Sequence, residues 1–267
     1  METTYGSIRG ASGKIAYVFE YAGGVFELMG RALKLVVRGK MAGAMERKAI
    51  IEQIESIAIR SLSIVVLTAI FSSMVMTVQF AVQLARFGAK EYVGNVVSLS
   101  LVRELGPVLT ALMVGGRVGA GISAELGSMN VTEQIDALRS MGADPIQKLV
   151  VPRILATTLM LPLLTTLANA LGVAGAMLTA RLDSGVHLSY FYHSILQAVT
   201  VQDFVGGLIK TLLFGFVLSA IACYQGLITR GGTQGVGRST TQTVVITSVV
   251  TLISDFVFTK VLLEFGM

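Results

Sequence analysis

The chain has 267 residues, 53% of them apolar and 14% charged, with a mean hydropathy of +0.74. A soluble domain carries about a quarter charged residues because its surface must stay wet, so this composition excludes an ordinary water-soluble fold. The net charge of +5 is spread over segments between apolar runs, with no basic stripe interleaved with aromatics, which argues against nucleic acid and suits anionic lipid head groups.

Met1 to Gly13 is polar and Gly/Ser-rich with no apolar core, so membrane insertion is expected to rely on internal segments. Residues 1–44 read as a tail followed by an amphipathic helix at 15–37. Its apolar positions are Val18, Val25, Leu28, Met29, Leu33 and Val36. Lys14, Glu20, Glu27, Arg31, Lys34 and Arg38 interrupt it too often for a spanning helix, so it is expected to lie in the interface. Residues 45–267 read as one membrane domain. A polar helix at 45–59 leads into a first span at 61–85, and residues 92–102 are apolar but short, as for a re-entrant or interfacial piece. Further spans are expected at 105–124, 154–180, 204–228 and 239–265, the last after a Gly-rich loop at 230–238. Cys223, the single cysteine, stands in an apolar run as a small buried residue and can form no intrachain disulfide.

Lys and Arg concentrate in the N-terminal region and in the segments 125–153 and 230–238, and are sparse in 86–103 and 181–203. That asymmetry predicts a cytoplasmic N-terminus and a C-terminus on the opposite side. The predicted fold class is an all-α integral membrane protein, with five transmembrane helices preceded by an N-terminal interfacial helix. A strand-built barrel is excluded because the apolar runs are continuous rather than alternating.

Several features could carry chemistry. Gly115 and Gly119 form a GxxxG pair, which lets helix backbones approach closely in lipid. Arg117, in the same run, is expected to pin helices by binding carbonyls. Arg103 and Glu104 stand beside Pro107 at a membrane boundary, while Lys210 and Asp255 lie inside apolar runs. Each would cost several kilocalories facing lipid, so each should face protein, water or a polar ligand group. A structural Lys–Asp pair and a substrate-contacting role both remain open. Between spans two and three, Asn130 and Glu133 have the spacing of a capping box for a short helix ending at Gly142, with Ile135, Leu138 and Met141 on one face. Such a projecting helix must bury its apolar face on the membrane domain or in a partner's groove.

The segment from Gly232 to Ser239 matches a P-loop spacing except for Arg238 in place of Lys. Its flanks are membrane spans rather than a strand and helix of a soluble α/β domain, so it reads as a Gly-rich turn. His187 and His193 have no carboxylate or cysteine at ligand spacing, which gives no metal site, and no catalytic constellation is visible.

The run from Leu101 to Leu138, L-V-R-E-L-G-P-V-L-T-A-L with G-R-V-G-A, A-E-L-G-S-M and T-E-Q-I-D-A-L, resembles the MlaE/YrbE permeases. Those are membrane subunits of ABC transporters that work with MCE-domain proteins. Later segments fit as well: D-P with V-V-P-R (144–153), G-L-I-K (207–210), T-Q-G-V-G-R-S-T-T (233–241) and S-D-F (254–256). The resemblance covers nearly everything after residue 45. It implies a homodimer in the bacterial inner membrane, with each subunit bound to a cytoplasmic ATPase that carries the ATP and Mg. This chain would then bind no cofactor. It also implies a periplasmic MCE protein that exchanges phospholipid with the membrane. By the same resemblance, Glu133, Gln134, Ile135, Asp136, Leu138 and Met141 belong to the coupling helix seated in the ATPase. The lipid pocket takes in Met76, Gln83, Leu84 and Phe87, with Arg103 and Glu104 at its rim and Lys210 and Asp255 near the dimer core. Gln83 and Phe87 depart from the more apolar or Tyr residues of the family pattern. Two other readings compete: a secondary transporter using Lys210, Asp255 and Glu104 as ion sites, and a structural membrane anchor of an envelope complex.

Overall fold

A computed structural model describes the backbone of residues 2–37, 44–185 and 187–264. Arg38 and the end of the fifth expected span at 265 lie outside the described residues. Among those described, the chain is helical throughout with no strand. In chain order the helices are α1 (Glu2–Val37), α2 (Ala44–Arg86), α3 (Lys90–Val131), α4 (Gln134–Ser140), α5 (Ile146–Asp183), α6 (Leu188–Ala198), α7 (Val201–Leu227) and α8 (Gly232–Glu264). Five of them, α2, α3, α5, α7 and α8, are long and apolar enough to cross a membrane.

Each long helix exceeds the roughly 20 residues that a hydrocarbon core needs. The polar helix expected before the first span is the first part of α2 itself. The short piece expected at 92–102 is likewise part of a longer element, because α3 runs unbroken from Lys90 to Val131. Pro107 would ordinarily interrupt such a helix by removing a backbone donor. Here the preceding turn, Leu101–Leu105, widens to π geometry and absorbs the break. A second π turn covers Gly115–Gly119, and a third, Ile146–Val150, opens α5. The Gly-rich segment expected as a loop at 230–238 is a tight turn at Gly231 and Gly232, both at positive φ, followed directly by α8. The mixed stretch 181–203 contains α6, with His187 at its N-terminal boundary and His193 within it.

The core lies among α1, α2, α3, α5 and α7, with Val65, Val114, Leu126, Leu161, Phe214 and Leu218 nearly or wholly buried. A smaller cluster of Ala81, Val93, Val97, Ala176, Ala180 and Phe191 joins the ends of α2, α3 and α5 to α6. Close approach depends on small residues, as the GxxxG pair predicts. A Cβ on Gly115 would meet Leu218 of α7 and Thr247 of α8, and one on Gly119 would meet Thr243 of α8. Many hydroxyl side chains within the bundle bond to their own helices, as Thr157 does on Arg153 O and Thr247 on Thr243 O, while Ser73 of α2 also reaches Gly172 O of α5 at 2.7 Å.

α1 is anchored by one stripe, with Val25, Leu28 and Ala32 buried while Val18, Phe19, Phe26 and Leu33 are exposed. Val18 and Leu33, read from the sequence as part of the apolar face, therefore lie off the packed stripe.

Candidate functional site

Where α3, α7 and α8 meet, the charges that interrupt the apolar runs converge. The π turn at Leu101–Leu105 carries Arg103 and Glu104. α7 approaches that turn closely because Gly207 has no side chain: a Cβ there would stand 2.7 Å from the carbonyl oxygen of Val102. Three residues further along α7, Lys210 is thereby brought under the turn.

Lys210 is 2% exposed, and its Nζ donates to Glu104 Oε2 at 2.7 Å, to Thr259 Oγ1 at 2.8 Å and to Arg103 O at 3.2 Å. Asp255 Oδ1 of α8 lies 3.4 Å from the same ammonium. The pairing of Lys210 with Asp255 thus exists, but Glu104 is its nearer carboxylate. A buried ammonium needs that many oxygens, because its desolvation is otherwise uncompensated.

Arg103, expected at the pocket rim, has a protein partner: its Nε pairs with Asp203 Oδ1 at 2.9 Å. Asp203 is fixed in turn by a capping box at the start of α7. Its Oδ2 accepts from Thr200 N at 2.8 Å and from Thr200 Oγ1 at 2.7 Å. The Arg103 side chain remains one-third exposed, and its guanidinium has further donors beyond Nε. The sequence reading missed Asp203 and Thr259. T-V-Q-D at 200–203 has the capping-box spacing and could have flagged Asp203. Nothing local flags Thr259, whose contact with Glu104 spans 155 positions of sequence.

These groups border a cavity of about 250 Å³ lined by Arg103, Glu104, Asp203 and Lys210, with Leu99, Ser100, Gln202, Gly206, Gly207, Thr259 and Leu262 completing its walls. Ligand pockets for drug-sized molecules run to about 300–1,000 Å³, so this recess suits a compact polar group rather than a whole lipid. Met76, Gln83, Leu84 and Phe87 of α2 are not among its walls. Met76 and Leu84 are half-buried, while Gln83 and Phe87 are exposed. Within one chain, therefore, the structure unites four of the sequence-chosen charges and leaves the four α2 residues apart.

At the far end of the same helices, α4 sits between α3 and α5. The capping box expected from Asn130 and Glu133 does not form. Asn130 Nδ2 donates to Thr229 O across to the end of α7 at 2.9 Å, and Glu133 adopts a left-handed conformation with φ 60° that redirects the chain. The helix runs Gln134–Ser140 and stops where the sequence predicts, at Gly142 with φ 77°. Ile135 is fully buried against the bundle, Leu138 is half-buried and Met141 is exposed, as are Glu133, Gln134 and Asp136. Its apolar face is thus partly covered by the chain itself. Arg117 binds no carbonyl: among the described residues its exposed side chain makes no hydrogen bond. Among the described residues no group of three or more His, Cys, Asp or Glu is placed to hold a metal ion.

A multi-span helical bundle with a short helix beyond its spans and a charged recess between them has the form of a transporter's membrane subunit. Comparison with known proteins agrees. The chain is 39% identical over 250 residues to a probable ABC transporter permease protein of Synechocystis, covering 94% of each chain. It is 42% identical over 211 residues to a probable ABC transporter permease protein of Rickettsia conorii, covering 79% of this chain and 82% of that one. A chloroplastic protein of Arabidopsis thaliana, trigalactosyldiacylglycerol 1, is 37% identical over 233 residues, covering 87% of this chain and 65% of that protein. Residues 50–261 match the family described as permease MlaE, and the chain belongs to that family of ABC transporter permeases. It is a multi-pass membrane protein whose work implies an ATPase partner.

Proposed function

We propose that this chain is the permease of an ABC transporter that moves phospholipid between the bacterial inner membrane and a periplasmic MCE protein. Membership of the permease MlaE family supports that reading. The observation that carries it is the recess at Arg103, Glu104 and Lys210, a head-group-sized cavity bordered by charged side chains and set among apolar helices. A phosphate needs a nearby cation with free donors, and Arg103 commits only Nε to Asp203. Acyl chains need longer apolar walls than a recess of that size provides. Two copies meeting as a homodimer would supply them, with Met76, Gln83, Leu84 and Phe87 of α2 facing the shared space.

In this arrangement the N-terminus and α4 are cytoplasmic and the C-terminus is periplasmic. ATP and Mg bind the separate ATPase, and α4 receives its movement through Glu133, Gln134, Asp136 and Met141. α3 then carries that movement to Glu104, and α7 and α8 carry it to Lys210 and Asp255. The name of the Arabidopsis relative refers to a galactolipid, in keeping with a lipid cargo for the family.

The test is reconstitution with the ATPase in vesicles carrying labelled phospholipid. ATP should drive exchange of that lipid with an MCE acceptor, and Arg103→Ala should slow it with the complex intact. Lipid movement that ignores ATP would refute the reading.

A further inference from the structure

A second cavity, of about 680 Å³, lies between α1, α7 and α8 and shares no lining residue with the charged recess. Its walls are Val25, Phe26 and Met29 of α1, Val217 and Ile221 of α7, and Val245 and Val250 of α8. Polar groups gather where α7 ends and α8 begins: Tyr21, Gln225, Thr241 and Gln242. At the other end stands Ser254, next in sequence to Asp255 of the charge network.

Three features make this more than a furrow between helices. Gln225 is 5% exposed, and its Nε2 donates to Gln242 Oε1 at 2.8 Å, while its Oε1 is buried with no partner. A buried amide oxygen left unpaired is costly, so the site calls for a donor. The polarity also runs lengthwise, from the amide end to the aliphatic middle. From Gln242 to Ser254 the groove follows twelve residues of α8, about 18 Å at 1.5 Å per residue. That matches one half of a hydrocarbon core about 30 Å thick. Finally, the outer wall is held in place, because the Tyr21 ring of α1 packs edge-on against Tyr224 of α7 at 5.1 Å between centroids.

We propose that this groove holds one phospholipid of the cytoplasmic leaflet, its head group donating to Gln225 Oε1 and an acyl chain lying along α8 toward Asp255. The inference rests on the orientation and cargo proposed above, and makes the groove a loading site upstream of the charged recess. A lipid fits where a protein segment does not, because the groove asks for one donor at one end and hydrocarbon over the rest.

The test places the photo-crosslinker p-benzoylphenylalanine at Phe26, on the groove wall, and separately at Phe71, an exposed position on α2. The chain with its ATPase is reconstituted in phosphatidylethanolamine vesicles containing some phosphatidylglycerol, irradiated, stripped of free lipid and weighed by mass spectrometry. Phospholipid adducts should exceed those at Phe71. Gln225→Leu should lower them about fivefold, the factor one net hydrogen bond is worth. Phosphatidylcholine, whose head group has no donor, should lower them similarly, and Val245→Trp should abolish them by filling the groove. Yields equal to Phe71, indifference to Gln225→Leu or to phosphatidylcholine, or adducts to a second copy of the chain would each overturn the proposal. Adduct formation needs no transport, so a complex that forms the adduct but moves no lipid under ATP would refute the transport reading and leave the site standing.

Discussion

An ammonium as deeply buried as that of Lys210 is tolerated only because Glu104, Asp255, Thr259 and a carbonyl surround it. Removing it leaves two carboxylates facing each other with no cation between them. Lys210→Met should therefore destabilise the chain by about 3 kcal/mol, as for other broken buried pairs. Adding Glu104→Gln should recover part of the loss, and that non-additivity in a double-mutant cycle of detergent unfolding checks the network. Purely additive losses would show that the two side chains act independently. Arg103 differs because its side chain is one-third exposed and its partner Asp203 keeps its bonds to Thr200. Arg103→Ala should cost about 1 kcal/mol or less in stability while impairing lipid exchange. Unfolding curves set beside a lipid-transfer assay separate the two effects.

α4 shows how an element can face two ways. Ile135 ties it to the bundle, while Asp136, paired with Arg139 at 2.9 Å, and Met141 are left outside. Met141→Asp and Asp136→Arg should weaken capture of the ATPase with little change in thermal stability, whereas Ile135→Asp should unfold the region. Unaltered ATPase capture by both surface variants would move the docking site elsewhere. Glu133, at φ 60°, occupies a conformation that costs a non-glycine residue about 1–2 kcal/mol. Glu133→Gly should leave the melting temperature unchanged or raise it. At the base of α4 the helices are fixed to one another. A Cβ on Gly226 of α7 would lie 2.6 Å from Leu126 of α3, and Ser239 of α8 accepts from Thr229 Oγ1 at 2.8 Å. Gly226→Val should overpack that contact at a cost of about 1–3 kcal/mol, read as a lowered melting temperature.

At the scale of the whole molecule, the helices tied beneath α4 are the ones that hold Glu104, Lys210 and Asp255 further along. In the proposed transport cycle, a displacement at one end of α3, α7 and α8 reaches the charge network through continuous helices rather than through loops. The ABC permease reading predicts that purification from membranes brings an ATPase and phospholipid with the chain. A secondary transporter would instead be driven by an ion gradient through the same carboxylates, and transport without ATP in reconstituted vesicles would favour it. A structural anchor would carry no lipid at all.

Composition and continuous apolar runs by themselves determined that the chain is a helical membrane protein with five long helices, because burial in lipid admits little else. The motif run at 101–138 likewise made the family legible, and Gly142 marked the end of α4 through its positive φ. Helix ends were harder to read: a polar stretch can continue a helix beyond the lipid, as in α2, and a π turn can carry one through Pro107. The tertiary structure alone decided which charges meet. Lys210 and Glu104 are 106 positions apart, and Arg103 and Asp203 are 100 apart. Long-range pairing of that kind leaves no periodic trace, since it depends on where Gly207 lets two helices touch. The charges that break the apolar runs were visible from the start, but that they form one network beside one recess is a property of the packing.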